Sequence, residues 1–111
     1  MEHKVFVYVW EFIVKRAKQK DFEKAYGPQG EWVKLFSQGK GYLGTELHQD
    51  QVNPRRYITI DYWRSRQDRD TFRSTFAHEF QRLDALCESF TVQEKFLGDF
   101  DCFTNRLPSC Q

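Results

Sequence analysis

The 111-residue sequence has few cysteines and no long uninterrupted apolar stretch. Its three cysteines, Cys87, Cys102 and Cys110, form no C-x-x-C pair and cannot all pair within one chain, which argues against a secreted disulfide scaffold. The longest apolar run has about ten residues, far short of the roughly 20 that span a bilayer. The first residues also lack the order and the cleavage site of a signal peptide. We therefore expect a cytoplasmic protein that does not engage a membrane.

The sequence also lacks an excess of charge of either sign, with 17 basic and 16 acidic residues mixed along it. Bulk charge therefore does not indicate nucleic acid or an acidic membrane as a partner. A chain of this length forms one domain and buries roughly two-thirds of its unfolded surface. Aromatic residues, in contrast, make up 17% of the sequence, including 11 Phe and 3 Trp. They fill either a core or an aromatic-lined cavity, and composition leaves both open.

Several catalytic and binding motifs are missing. His3, His48 and His78 are scattered, and none lies at ligand spacing from another His or Cys, so no metal site is predicted. There is no nucleophile elbow, phosphate loop or dinucleotide fingerprint. Residues 40–42, KGY, begin like the aromatic signature of RNA-recognition domains, but the pattern departs at Leu43. Nucleic-acid binding is therefore not predicted.

Apolar periodicity predicts the order β-α-α-β-β-α-β. The predicted strands cover residues 5–14, 42–49, 57–63 and 89–100. A helix over 15–26 stops at Gly27, and Pro28 stands in the first turn of a second, short helix. The order is that of a ferredoxin-like α+β sandwich, with one domain over residues 1–100 and a tail over 101–111.

A second long helix is predicted to begin at Ser65, which forms a capping box with Asp68. Its apolar stripe is Phe72, Phe76, Phe80, Leu83 and Cys87. On a continuous helix His78 lies far from the centre of this stripe, which predicts an exposed side chain.

The first strand is apolar on both faces. Its two alternating sets are Phe6, Tyr8, Trp10 and Phe12, and Val5, Val7, Val9 and Ile13. Such a strand is normally covered on both sides, and the helices of so small a chain cover only one. A second copy of the chain is the simplest cover for the other, so the pattern predicts a homodimer through the sheet.

The third strand carries the candidate site. Thr59, Asp61 and Trp63 share one face with Tyr57. Asp61 acts as a base if it is desolvated, because burial raises the pKa of a carboxyl. If an arginine pairs with it instead, Asp61 stays ionised and is structural, and the residues leave both options open. His48, which shares strand parity with Tyr42 and Glu46, is either a surface residue or reaches the same cavity.

Three segments carry a family resemblance: GYLGTEL at 41–47, YxxxDxWxS at 57–65 and LDALCESFTVQEKFLGDF at 83–100. In this order and spacing they resemble the antibiotic biosynthesis monooxygenase (ABM) domain family of the dimeric α/β-barrel superfamily. The resemblance implies a ferredoxin-like monomer that pairs sheet to sheet, forming a dimeric α+β barrel. It also implies oxidation of electron-rich polycyclic phenols to quinones by O₂, without metal, flavin or haem.

The resemblance also suggests which residues act. It implies that Trp63 lies beside the substrate, that Thr59 replaces a family asparagine, and that Arg82 corresponds to an arginine of the following helix. It turns the face of Asp61 toward the helices, although hydrophobicity alone favours the reverse. The expected catalytic residues are Trp63, Asp61, Thr59 and Arg82, and the expected substrate contacts are Tyr57, His48, Phe72 and Phe76.

Two functions follow from these expectations. The first is a cofactor-independent monooxygenase that converts a small, electron-rich aromatic substrate to a quinone, with O₂ as co-substrate. The second is a non-catalytic dimeric protein that binds a small ligand on the same fold. Asp61 beside Trp63 favours the enzyme, and the loss of the amide at Thr59 favours the binding protein.

Overall fold

The computed structural model describes residues 3–105, which form one four-stranded antiparallel sheet with helices on one face. The strand order is β2-β3-β1-β4. The strands are β1 (His3–Val14), β2 (Tyr42–Gln49), β3 (Arg56–Trp63) and β4 (Thr91–Thr104). The order confirms the predicted ferredoxin-like α+β fold.

Four α-helices connect the strands. They are α1 (Gln19–Tyr26), α2 (Glu31–Phe36), α3 (Arg66–Thr75) and α4 (Ala77–Cys87). Single 3₁₀ turns precede α1 at Arg16–Lys18 and follow α4 at Glu88–Phe90. None of the helices between residues 3 and 105 is long and apolar enough to cross a membrane.

Two helix boundaries differ from the prediction. The segment 15–18 is not α-helical, because Lys15 is extended and only a 3₁₀ turn follows it. The second short helix begins at Glu31 with Gly30 as its N-cap, so Pro28 lies in the preceding turn and not in the helix. Gly27 ends α1, as predicted.

The predicted long helix is broken at Phe76, which has φ −109° and ψ 27°. Ser74 and Thr75, which precede the break, are poor helix formers. The apolar stripe is nevertheless confirmed, since all five of its residues belong to or pack against the core. Ser65 caps α3 by accepting a hydrogen bond from Asp68 N at 3.1 Å, and His78 is exposed, both as predicted.

β4 continues to Thr104, past the predicted end of the last strand at Phe100. Residues 101–104 of the predicted tail therefore belong to the sheet, paired with the start of β1. Residues 106–111, including Cys110, lie outside the described residues. Cys87 and Cys102 are free thiols.

The inner face of β3 is the one that the family resemblance indicated. Tyr57, Thr59, Asp61 and Trp63 are all buried against the helices, whereas the alternate residues of the strand are half-buried on the opposite face. Hydrophobicity alone favoured the reverse, because Asp61 and Thr59 are the polar members of the strand.

A β-bulge at Leu43 changes which residues of β2 face the helices. Tyr42 pairs with Trp63, but the next pair is Gly44 with Tyr62. Tyr42 therefore lies on the inner face with Thr45, whereas strict alternation places it on the same face as Glu46 and His48. A bulge inserts one residue into a strand and so reverses the alternation beyond it.

Candidate functional site

A cavity of about 200 Å³ lies between the helices and the inner face of the sheet. Its aromatic wall comes from Tyr8, Trp10, Phe12, Tyr26, Trp32, Phe36 and Phe80. Its polar and charged lining comes from Thr45, Thr59, Asp61, Arg73, Asp84 and Glu94. An apolar enclosure with a few convergent polar groups is the usual form of a small-molecule site.

Asp61 is the central polar residue of this cavity. Its side chain is 4% exposed, and burial raises the pKa of Asp61 to about 7, against the opposing effect of a hydrogen bond from Thr45. A carboxyl that titrates near neutral pH takes up and releases a proton readily under physiological conditions. Among the residues described, no arginine is paired with it.

A chain of hydroxyl groups orients Asp61. Thr45 Oγ1 donates to Asp61 Oδ1 at 2.6 Å, and Tyr42 Oη lies 2.5 Å from Thr45 Oγ1. Because the Thr45 proton goes to the carboxylate, the hydrogen bond between the two hydroxyls is donated by Tyr42. Oδ1 is therefore occupied, and Oδ2 is the oxygen left for a ligand.

Tyr8 pairs directly with Asp61 across the sheet and provides a second polar atom. Its side chain is 2% exposed, and Tyr8 Oη has no hydrogen-bond partner among the described residues. Burial, with the Asp61 charge adding to it, raises the pKa of Tyr8 well above its usual value, while Arg73 and Arg69 oppose the shift. The hydroxyl therefore stays protonated at neutral pH and is a buried donor without a partner in the cavity wall.

Arg73 of α3 brings a positive charge to the cavity wall. Its guanidinium lies over the ring of Phe80, 4.3 Å from the centroid. It forms no ion pair with any residue between 3 and 105, in contrast to Arg69, which pairs with Asp70 and Asp99. An unpaired guanidinium at a cavity is well suited to an anionic oxygen.

Of the eight predicted site residues, Asp61 and Thr59 line this cavity. Trp63 does not: it is fully buried against Phe36, Tyr42 and Phe72. Gly39 packs closely against this cluster, since a Cβ at this position would lie 2.8 Å from Phe72 and 3.0 Å from Trp63.

Phe72, Phe76 and Tyr57 also lie away from the cavity lining. Phe72 stacks on Phe76 in the core, with ring centroids 5.3 Å apart. The Tyr57 hydroxyl donates to the Glu23 carboxylate and closes the far end of the core. The sequence predicts that the ligand contacts these three residues. Their position away from the lining does not favour such contact with a ligand in this cavity.

His48 and Arg82 are on other surfaces. His48 pairs with Ile58 on the outer face of the sheet, and its Nε2 lies 3.0 Å from the Glu46 carboxylate. Strand parity predicts that His48 shares a face with Tyr42, but the bulge turns Tyr42 inward and leaves His48 outside. Arg82 is exposed on α4 and lines a shallow surface groove with Leu83 and Leu86, so the arginine at the cavity is Arg73 instead.

Most residues of the cavity lining were not predicted as site residues from the sequence. Tyr8 and Trp10 carry a recognisable signal, because they alternate on the inner face of β1. Thr45 could be identified only from the pairing register of β2 with β3, which places it opposite Asp61. The sequence pattern does not identify Asp84 and Glu94 as site residues, because they belong to α4 and β4 and come together only in the folded chain. Among residues 3–105, no group of His, Cys, Asp and Glu is arranged to hold a metal ion.

Solved structures with the same fold span almost the whole chain. One is from Bordetella bronchiseptica and is assigned as an antibiotic biosynthesis monooxygenase, with 18% identity, 94% of this chain and 98% of that chain covered, and a TM-score of 0.67. Another with the same assignment, from Nitrosomonas europaea, has 13% identity, coverage of 91% and 97%, and a TM-score of 0.61. A third antibiotic biosynthesis monooxygenase has 20% identity, coverage of 93% and 99%, and a TM-score of 0.61.

At these identities the structures establish the fold alone, and no curated protein matches the chain. The family model named antibiotic biosynthesis monooxygenase (ABM) matches residues 5–82, which is most of the sequence and includes most of β1 and all of β2, β3 and α3. The chain therefore belongs to the antibiotic biosynthesis monooxygenase family.

Proposed function

We propose that the protein is a cofactor-independent monooxygenase that oxidises a small, electron-rich phenol to a quinone with O₂. The observation that carries the proposal is Asp61, a buried carboxyl with a pKa of about 7 in an otherwise aromatic cavity. Family membership supports an oxygenase, and the cavity supports an aromatic substrate.

The reaction begins with proton transfer from the phenol to Asp61 Oδ2, since Oδ1 is held by Thr45. The phenolate then gives one electron to O₂, and the two radicals combine at a ring carbon that bears hydrogen. Loss of water from the resulting hydroperoxide leaves the quinone, so that one phenol and one O₂ give one quinone and one water. The phenolate is the species that reacts, and the base controls its formation.

Tyr8 and Arg73 stabilise the phenolate oxygen. Tyr8 Oη is a protonated donor without another partner, and Arg73 brings an unpaired positive charge to the same cavity. Donors fixed in a water-poor site stabilise developing negative charge more strongly than solvent does. Thr59 lies beside Asp61 in the lining, where a hydroxyl replaces the family's amide.

The size of the cavity limits the substrate. At about 200 Å³ it is smaller than the roughly 300–1,000 Å³ of typical drug-sized sites. We therefore expect one or two aromatic rings in preference to the larger polycyclic phenols that the family resemblance suggested.

A non-catalytic binding protein is the second candidate, and one observation favours it. Trp63, the residue that the family resemblance placed beside the substrate, is sealed in the core away from the cavity. A pocket that has lost such a contact retains its aromatic lining and its ability to bind a planar ligand.

Oxygen uptake and ligand binding together separate these candidates. The chelator-treated protein is mixed with hydroquinones, anthrones and polyphenols, and oxygen consumption is recorded beside tryptophan fluorescence, because Trp10 and Trp32 line the cavity. Uptake above the spontaneous rate supports the monooxygenase. Fluorescence quenching without uptake supports the binding protein and contradicts the proposed reaction.

We further propose that two copies associate through the outer face of the sheet. This face carries Val9, Ile13, Ile58, Ile60 and Tyr62, together with Phe100, which is 48% exposed. No helix of the described chain covers this half-buried apolar face, and a sheet face of this kind is typical of an interface. The occupant we propose is a second copy, as the family's fold implies.

A further inference from the structure

The cavity has two polar ends with opposite electrostatic character. Asp61 pairs with Tyr8 on β1, and Glu94 pairs with Phe12 four residues further along the same strand. At about 3.3 Å per residue the two backbone positions are roughly 13 Å apart along β1, and both side chains line the cavity between them. Asp61 is buried, whereas Glu94 and Asp84 are exposed, so the second end is the mouth of the cavity.

The mouth carries uncompensated negative charge. Burial raises the pKa of Glu94, a hydrogen bond from Thr91 opposes the shift, and repulsion from Asp84 and Glu88 adds to it. None of these three carboxylates forms an ion pair with a residue between 3 and 105. The charges of Glu94 and Asp84 also raise the pKa of Tyr26, although its burial and the nearby Cys87 are larger causes.

The positive charge of the cavity acts at its other end. Arg73 is the one basic residue in the lining formed by residues 3–105, and its charge acts on Tyr8, the partner of Asp61. The inner end of the cavity thus has a hydroxyl on which a positive charge acts, and the mouth has the carboxylates of Asp84 and Glu94. A ligand that is anionic at its inner end and cationic at its outer end matches both.

The wall between the two ends is also suited to a cation. Trp10, Trp32, Tyr26 and Phe12 line the cavity, and the rings of Trp10 and Phe12 are stacked with centroids 6.2 Å apart. The faces of such rings attract an ammonium group. Tyr8 Oη, buried and without a partner among the described residues, belongs to the wall at the inner end, where Tyr8 pairs with Asp61.

We propose that the substrate is a phenol that carries a protonated amine at the end opposite its hydroxyl, and that Glu94 and Asp84 determine this preference. This proposal rests on the proposed function, because Asp61 receives the phenolic end. The amine proposal adds a positive charge on the substrate group that lies farthest from the phenolic hydroxyl, which neither the family nor the fold specifies.

The test compares three phenols that share a ring and differ in the charge of the para substituent. Tyramine is cationic, 4-ethylphenol is neutral and 4-hydroxyphenylacetate is anionic. Isothermal titration calorimetry with the full chain near neutral pH gives their dissociation constants. We expect tyramine to bind about tenfold more tightly than 4-ethylphenol, and the anion to bind most weakly. The preference should shrink as salt is added, because the mouth is exposed.

Variants locate the preference. Glu94→Gln and Asp84→Asn should each reduce the ratio between tyramine and 4-ethylphenol severalfold and leave the affinity for 4-ethylphenol nearly unchanged. Glu79→Gln is the matched control, because Glu79 is an exposed carboxylate of α4 that does not line the cavity. It should retain the wild-type ratio.

Equal affinity for tyramine and 4-ethylphenol, or tightest binding of 4-hydroxyphenylacetate, overturns the amine proposal and leaves the phenol site at Asp61 standing. An unchanged ratio in both mouth variants also overturns it. If none of the three phenols binds, both this proposal and the proposed phenol site are wrong.

Discussion

Asp61 illustrates how one residue takes its chemistry from its surroundings. A carboxyl on a strand face that alternates with isoleucines suggests an exposed residue, yet Asp61 is buried among aromatic rings. Burial destabilises the ionised form, and the hydrogen bond from Thr45 only partly compensates. The stability of the protein should therefore depend on the charge of this one side chain.

Replacing Asp61 by Asn should stabilise the protein at neutral to alkaline pH. The folded-state pKa of about 7 is above the usual value of 3.8, so the unfolded chain releases the Asp61 proton at lower pH than the folded one. The free energy of unfolding then falls as pH rises from about 4 to about 7. Urea denaturation should show Asp61→Asn more stable by roughly 2–4 kcal/mol near pH 8, with little difference near pH 4. A constant difference across this range would contradict the buried, titrating carboxyl.

Thr45 should hold the pKa of Asp61 down. The change Thr45→Val removes the hydroxyl that donates to Asp61 Oδ1, so the pKa of Asp61 should rise further above its usual value. Carboxyl ¹³C chemical shifts followed through a pH titration measure this pKa directly. Thr45→Ser keeps the hydroxyl and should restore the wild-type value. If Thr45→Val titrates like wild type, the hydrogen bond does not orient the carboxyl.

Among the elements, the strands were predicted more accurately than the helices. The alternation of β1 and β3 is long and regular, whereas the break at Phe76 occurs without Gly or Pro and follows only two weak helix formers, Ser74 and Thr75. The bulge at Leu43 is the more consequential miss, because it moves Tyr42 to the inner face and leaves His48 outside. A strict period of two cannot anticipate an inserted residue.

The cap of α3 provides an element-scale prediction. Ser65→Ala removes the acceptor of the Asp68 amide, which should lower the free energy of unfolding by about 1 kcal/mol. Ser74→Ala is the control, because Ser74 is exposed within the same helix and has no cap role. Thermal unfolding followed by circular dichroism compares the two. Equal melting temperatures for the two variants would argue against the cap.

For the whole molecule, the fold and the family followed from the sequence, but the shape of the cavity did not. Aromatic content left a core and a cavity equally open, and the structure contains both. Trp63 and Phe72 belong to the core without lining the cavity, whereas Trp32 belongs to the core and also lines the cavity, as does Trp10, which packs against the core. This division depends on how α1 to α4 lie across the sheet, which is a property of the packed molecule.

The proposed dimer is tested at the same scale. Ile60→Glu places a charge at the centre of the outer sheet face without reaching the cavity, since Ile60 and Asp61 point to opposite faces. We expect the wild type to be dimeric and this variant to be monomeric in size-exclusion chromatography with light scattering. Val52→Glu, at a 93% exposed loop position, is the control and should leave the mass unchanged. A monomeric wild type would contradict the dimer.

The most direct test of the account is the rate of oxygen uptake by wild type and Asp61→Asn with a small hydroquinone, in the presence of a chelator, across neutral pH. We predict that the wild-type rate above background rises as pH increases through about 7, because the ionised form of Asp61 is the proposed base. In Asp61→Asn the rate should fall by about 100-fold or more, toward the spontaneous oxidation. Equal rates for the two proteins would show that Asp61 is not the base and would contradict the central claim.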